Sequence, residues 1–224
     1  MRALIRDSLT FLFILLTAPM WLAVKLIDSG GREVGLFATF GQALSLIPGF
    51  IGSFARRAYY LMTLEACAKD IGVGFGTWFS KMQVRISPRV SFGAHCVIGS
   101  CTIGEGVLVG SNIDVLSGRH QHAMDDLAKP RAEQTSTFTQ VYIGENVWIG
   151  NRAVIMADVG DNSVIGAGSV VVHPIPHNSV AVGNPAIVKY SLDRTIEHTK
   201  DCLTQPTSVN ANQADPSLAP ERSG

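Results

Sequence analysis

Charge is what this 224-residue chain has least of: 16% of its residues are Asp, Glu, Lys or Arg, and 18 bases balance 18 acids. A nucleic-acid partner demands a basic surface that neutralises phosphates, so that class of function is excluded. So little charge beside 46% hydrophobic residues also excludes a disordered chain. Cysteine is equally sparse. Cys67, Cys96, Cys101 and Cys202 form no CxxC pair, which removes a zinc ribbon and a secreted disulfide framework. Reduced thiols packed as small hydrophobes remain, in a cytosolic setting.

Two long stretches carry no charge at all. Ser8 to Val24 (SLTFLFILLTAPMWLAV) is flanked by Arg2 and Arg6 on one side and Lys25 on the other. The run is borderline for a helix that must cross a bilayer core, and no small-residue cleavage site follows it. Val34 to Ala55 is uncharged too, but its glycines and Pro48 argue against a straight helix facing lipid. Three readings stand side by side: a spanning anchor, an interfacial or re-entrant hairpin, and a buried helical cap. Arg56 and Arg57 are placed at lipid headgroups, on the cytoplasmic side of the inner membrane. Otherwise the protein is expected to be cytoplasmic.

The middle of the chain lacks both the 3.6-residue period of a helix and the alternation of a half-buried strand. An aliphatic or aromatic guide followed by a small residue recurs instead, at Phe92, Ile98, Ile103, Val109 and Val115, and again at Ile143, Ile149, Ile155, Val159 and Ile165. Most steps are six; one is five and one is four. This is the pattern of a parallel β-helix, in which each hexapeptide supplies a short strand and a corner. The guides point inward, and glycine or a small residue follows where the chain must turn. Coils stack at the inter-strand spacing and contact mainly their neighbours, so both ends need caps. RRAYYLMTLEACAK (56–69) reads as a helix that caps one end; the region after Pro185 is placed at the other.

The resulting organisation is a hydrophobic leader (1–55), a helical cap and linker (56–80), and a hexapeptide domain (81–190). A C-terminal segment (191–224) follows, expected to be disordered from about residue 205. Residues 119–140 break the period completely and must loop out from a corner, where function tends to sit.

The hexapeptide blocks, VLSGRHQH, the looped-out insertion, VWIGNRAVIM and GAGSVVVHPIPHNSVAVGNPA resemble the hexapeptide-repeat acyltransferases. The resemblance covers about residues 67 to 189. LIPGFIGSFARRAYYLMTLEACAKDIGVGFGTWFS narrows it toward members associated with surface-polysaccharide biosynthesis. It implies a left-handed parallel β-helix, a homotrimer, and acyl transfer from coenzyme A, here acetyl-CoA, to a saccharide or glycolipid hydroxyl near a membrane surface. No metal is expected. His120, at the start of the insertion, takes the place of the family's catalytic histidine, with His122 as the alternative. An alcohol is a poor nucleophile while protonated, and neutral imidazole suits the role of base.

The resemblance also points to cofactor contacts at Trp148, Gly150, Asn151, Ala167, Gly168 and Lys189, with coil corners as the plain reading of the glycines and corner packing that of Trp148. Asn112, Asp114 and Asp125 are candidates for holding the acceptor, and Asp126 stands beside them; Asn112 reads equally as a corner residue. Two departures from the family pattern stand out. Val172-His173-Pro174 and Pro185-Ala186-Ile187 lack the usual cations for the coenzyme A phosphates, which leaves Lys189 or Arg194 as substitutes. The alternatives are an antibiotic-modifying or amino-sugar N-acetyltransferase, a zinc hydratase using His95, His120 and His122, and a non-catalytic scaffold in a polysaccharide assembly complex.

Overall fold

The computed structural model describes residues 2–27, 35–119, 121, 128–130 and 133–193. His120, His122, Asp125, Asp126, Arg194, Cys202 and the tail from 205 lie outside these. Three helices come first, α1 (Arg2–Ile27), α2 (Leu36–Ser45) and α3 (Gly49–Thr63). Pro48 is the N-cap of α3, where a missing N–H costs nothing. Against the expectation of one helix over 56–69, α3 ends at Thr63. Ala66 and Cys67 already pair in parallel with Arg85 and Ile86 as the first strand of the stack.

Among the described residues sixteen short strands follow, numbered in chain order and grouped on three faces. Face one holds β1 (Ala66–Cys67), β4 (Val84–Ile86), β7 (Cys101–Ile103) and β10 (Val141–Ile143). Face two holds β2 (Gly72–Val73), β5 (Ser91–Phe92), β8 (Leu108–Val109), β11 (Trp148–Ile149), β13 (Val164–Ile165) and β15 (Ser179–Val182). Face three holds β3 (Trp78–Phe79), β6 (Val97–Ile98), β9 (Asp114–Val115), β12 (Val154–Ile155) and β14 (Val170–Val171). All of these pair in parallel with the coil above or below. β16 (Ile187–Ser191) instead folds back antiparallel onto β15 and closes that end. This is a β-solenoid of about six turns. Its first turn (Cys67, Val73, Phe79) lies upstream of residue 81, where the hexapeptide domain was expected to begin. There the guides are not followed by the repeated Ile-Gly signature.

Every guide named from the sequence is buried, and the buried set forms one continuous core along the stack. The steps between guides separate cleanly by edge. Passing from face one to face two, and from two to three, each step is six residues: Ile103 to Val109 to Val115, Ile143 to Ile149 to Ile155. All irregularity falls on the third edge, from face three back to face one. There the steps are 7 (Phe79 to Ile86), 5 (Ile98 to Ile103), 28 (Val115 to Ile143) and 4 (Ile155 to Val159). The insertion leaves from that same edge, between the third and fourth coils.

The glycine that follows most of the guides has a different cause from the one expected. It does not carry the turn. A Cβ on Gly110 would meet Asn151 Oδ1 in the next coil, with Asn151 N 2.9 Å away; the absent side chain permits coil-to-coil approach. The left-handed turn falls three residues after the guide, at Arg89, His95, Asn112, Asn146, Arg152, Asn162 and Asn178, with glycine at positions 76, 106 and 168. Asn is the non-glycine residue that tolerates this region best, which explains its repetition.

Arg56 and Arg57 are not at a headgroup surface. Arg56 is 1% exposed and its guanidinium donates to the carbonyls of Leu44 (3.1 Å), Ile47 (2.8 Å) and Val73 (3.1 Å). It joins the negative end of α2 to the first coil. Burial lowers its pKa from the ordinary guanidinium value. Arg57 Nη2 donates to Thr10 Oγ1 at 2.5 Å and its guanidinium lies over the Phe54 ring. The described cysteines are free thiols. Burial pushes Cys67 up to about 12 and raises Cys96 and Cys101 as well.

Candidate functional site

The insertion begins with a narrow neck. Thr139 N donates to Ser117 O at 3.0 Å and Thr137 N to Gln121 O at 3.0 Å, so the outgoing and returning strands are clasped. Gln121, between the two candidate histidines, also donates through Nε2 to Gly118 O at 3.2 Å. Gly118 adopts φ +82, and a Cβ there would collide with Thr139 Oγ1. Only glycine satisfies both the left-handed backbone and the close approach.

Beside the neck, along the third edge, lies a cleft of ≈ 370 Å³, lined by residues that include Gly118, Arg119, Thr139, Met156, Asp158 and Val172. Arg119 reaches along this edge to the fifth coil. Its Nη1 donates to Val172 O at 3.2 Å and lies 3.3 Å from His173 Nδ1. Asp158 Oδ1 accepts the Tyr142 N–H at 2.8 Å, which fixes the returning strand at β10. Sequence reasoning missed Gly118, Arg119 and Asp158 as site residues, although the period contains the signal. Ile103 pairs with Ile143, and Ile143 with Val159, so positions 40 and 16 apart share an edge. Ser117, Ala157 and His173 are related in that way.

The residues assigned to the cofactor occupy another edge. Gly150, Asn151, Ala167 and Gly168 stand on the second edge, between faces two and three, in line with Asn112. Asn112 is a corner residue, with φ +56 and its N–H donated to Ala94 O at 2.8 Å. Asn151 Oδ1 accepts the Ser111 N–H at 2.8 Å, binding adjacent coils. Gly150 is buried, and its missing side chain serves packing, since a Cβ there would lie 2.5 Å from Ala167 N; Gly168, at φ +70, faces open space. An exposed row at Ala167 and Gly168 fits a thread-like ligand laid against backbone. Arg152, exposed on the same edge and not singled out from the sequence, places a cation beside that row.

Trp148 does not pack into a corner: it stands outward on face two, 56% exposed, in register with Leu108 and Val164. Lys189 is exposed on β16. Asp114 points outward on face three, beside Val97 and Val154, and does not line the cleft. His95, the third histidine of the zinc alternative, sits on the second edge with its ring edge-on to Phe75 at 5.3 Å, away from the edge where residues 119–140 leave. The root of the insertion and the Asn112–Gly168 row thus occupy two different edges of one prism, while Trp148, Asp114 and Lys189 stand on its faces and closing strand.

Comparison with known proteins gives the same fold. The bacterial transferase hexapeptide family (six repeats) matches residues 140–173. A galactoside O-acetyltransferase of Lactococcus lactis is 38% identical over 104 residues, 44% of this chain and 48% of that protein. The corresponding Escherichia coli enzyme is 41% identical over 100 residues, 43% of this chain and 47% of that protein. The chain spans about half the length of the curated relatives it matches. Among solved structures, a maltose O-acetyltransferase from Clostridium difficile 630 superposes with TM-score 0.60 at 25% identity, covering 70% of this chain and 86% of that one.

Proposed function

We propose that this chain, which belongs to the hexapeptide-repeat acetyltransferase family, transfers an acetyl group from acetyl-CoA to a hydroxyl of a saccharide or lipid-linked saccharide in surface-polysaccharide biosynthesis. The observation that carries the reading is the cleft at the clasped neck of the insertion, lined by Gly118 and Arg119, the two residues that precede His120 in the chain. The relatives' activities on galactosides and maltose support a sugar as acceptor.

Acetyl-CoA would supply an activated acyl carbon. Gly168 and Ala167 would receive its pantetheine arm through backbone, and Arg152 would face a phosphate. His120 accepts the proton of the acceptor hydroxyl as its oxygen bonds to the acyl carbon. A backbone N–H stabilises the oxyanion, an effect worth a few kcal/mol. As the carbon–sulfur bond breaks, protonated His120 returns its proton to the leaving thiolate. His122 is the alternative base, and Asp125 and Asp126 are candidates for the acceptor. Because the cofactor edge and the loop edge are different edges of one chain, the reading includes a homotrimer in which one subunit's second edge meets its neighbour's third.

Calorimetric titration of acetyl-CoA into the full chain in detergent tests the reading. Saturable binding at one site per chain, with acetyl transfer to a member of a saccharide panel, is the expected result. A folded protein that binds no acetyl-CoA overturns it and leaves the scaffold alternative.

A further inference from the structure

The helix α1 is built inside out for water. Its two threonines turn toward the protein: Thr10 and Thr17 are buried, Thr10 accepting a hydrogen bond from Arg57 and Thr17 donating to Phe13 O at 2.7 Å. With Val24 they form one stripe, seven residues apart. The opposite side exposes Phe11, Leu12, Leu15, Leu16, Leu22 and Leu26. An amphipathic helix in water shows the reverse arrangement.

The exposed apolar surface does not stop at α1. Phe13 stacks on Phe54 at 5.9 Å, and Phe54 meets Phe50 edge-on at 6.2 Å. Phe50 and Ile51, with Leu46 at the end of α2, are themselves more than half exposed. Exposed apolar side chains thus stand on both α1 and the α2–α3 turn, and the ring contacts of Phe13, Phe54 and Phe50 join the two groups. Contiguous patches of this kind mark a protein or membrane partner.

We infer that this face rests on a lipid bilayer, with α1 lying in the interface rather than crossing it. By length and composition alone, Asp7–Ile27 is sufficient to cross a membrane, so the depth is decided by what holds the helix. Three observations favour lipid and this depth. No charged residue interrupts 8–24, while Lys25 at one end, exposed at the C-terminus of α1, is placed for anionic headgroups. The uncharged run is 17 residues, about 25 Å as helix, short of the roughly 30 Å hydrocarbon core. Most decisively, α1 is held along α3 through Thr10–Arg57 and Phe13–Phe54, and α3 is tied to the first coil by Arg56 and Val73. A spanning α1 would leave α3 or drag its arginines and the coil into hydrocarbon, where charged and polar groups are strongly disfavoured. Lying flat, α1 buries Phe11, Leu15 and Leu22 while the solenoid stays in water.

Flotation with vesicles of phosphatidylcholine and phosphatidylglycerol tests the contact, using the full chain, Leu15→Glu/Leu16→Glu and Phe50→Asp/Ile51→Asp. The wild-type chain floats, and each double variant loses at least about tenfold in partitioning, the scale of a lost pair of buried apolar side chains, with acetyl-CoA binding unchanged. Equal flotation of both variants overturns the contact. So does a wild-type chain that stays in solution and halves its mass on light scattering when the variants are made, since a second copy would then be the occupant. Nitroxide labels at Phe11→Cys and Leu22→Cys test the depth. Similar depths are expected; a difference of about 16 Å, eleven residues along a helix axis, means that α1 spans.

Discussion

Arg119 ties the root of the insertion to a coil 53 residues further along the chain, donating to the Val172 carbonyl at 3.2 Å beside His173 Nδ1 at 3.3 Å. The segment Val172-His173-Pro174, which departs from the family pattern, is thereby given a role on the loop's own edge. Arg119→Ala is expected to lower turnover about tenfold through misplacement of its neighbour His120, with little change in KM for acetyl-CoA. Steady-state kinetics with both substrates varied checks this. Unchanged turnover would mean that the tie does not position the base.

His120→Ala is expected to lower turnover by at least about a hundredfold, the scale of general-base loss, while calorimetry shows near-normal acetyl-CoA binding. Should His122→Ala produce the larger loss, the role passes to that residue.

Arg152→Ala is expected to raise KM for acetyl-CoA several-fold at unchanged kcat, the signature of lost uniform binding. The effect should shrink with added salt, because Arg152 is exposed. Indifference of KM would move the phosphate site away from the second edge.

Arg56→Met removes the donors that satisfy the Leu44, Ile47 and Val73 carbonyls. Leaving buried acceptors unpaired costs about 1–3 kcal/mol each, so urea unfolding should show a loss of several kcal/mol. A variant as stable as the parent would show that water enters and replaces the guanidinium.

Two glycines should respond in opposite ways. Gly106, at φ +73 with nothing within 4 Å of where a Cβ would stand, is expected to accept Asn at little cost. Gly110→Ala should lower the melting temperature sharply, because its Cβ meets Asn151 in the next coil. Thermal melts of the two variants check the division between turning and packing glycines.

The thiols set an alkaline limit. Cys67, Cys96 and Cys101 are raised above the ordinary value of 9.0 by burial, so the folded state favours the protonated thiol. Their contribution is complete below about pH 9, the unfolded value, and is lost as pH rises toward the folded values, about 12 for Cys67. Iodoacetamide at pH 8 should leave all three unmodified in the native protein and label them in urea, as mass spectrometry would show.

The sequence made the repeat legible because its guides obey one physical demand, an aliphatic side chain per face in a narrow core. Phe92 and Ile143 through Ile165 could be placed from their spacing alone. Cys67, Val73 and Phe79 answer the same demand, but Gly-Val-Gly-Phe-Gly-Thr around them hides the signature. The place of the loop was readable in the broken period after Val115. The cleft was not, since Gly118, Met156 and Val172 become neighbours only once the 40- and 16-residue registers are known. Arg56 misled for a simple reason: a cation beside an apolar run resembles a headgroup anchor, and nothing local reveals the carbonyls waiting at the end of α2.

The register across the insertion has an evolutionary corollary. Ile103 and Ile143 meet as closely in the stack as Ile86 and Ile103 do, so the core does not sense how much chain is looped out between them. The neck at Ser117–Thr139 insulates the coils from whatever lies beyond it. Loops of other lengths and chemistries can be exchanged at this point without retuning a single guide residue, so whatever the insertion does can drift while the scaffold stays fixed. A deletion of one residue inside Val109–Val115 has no such shelter, because it turns every later side chain on that coil inside out.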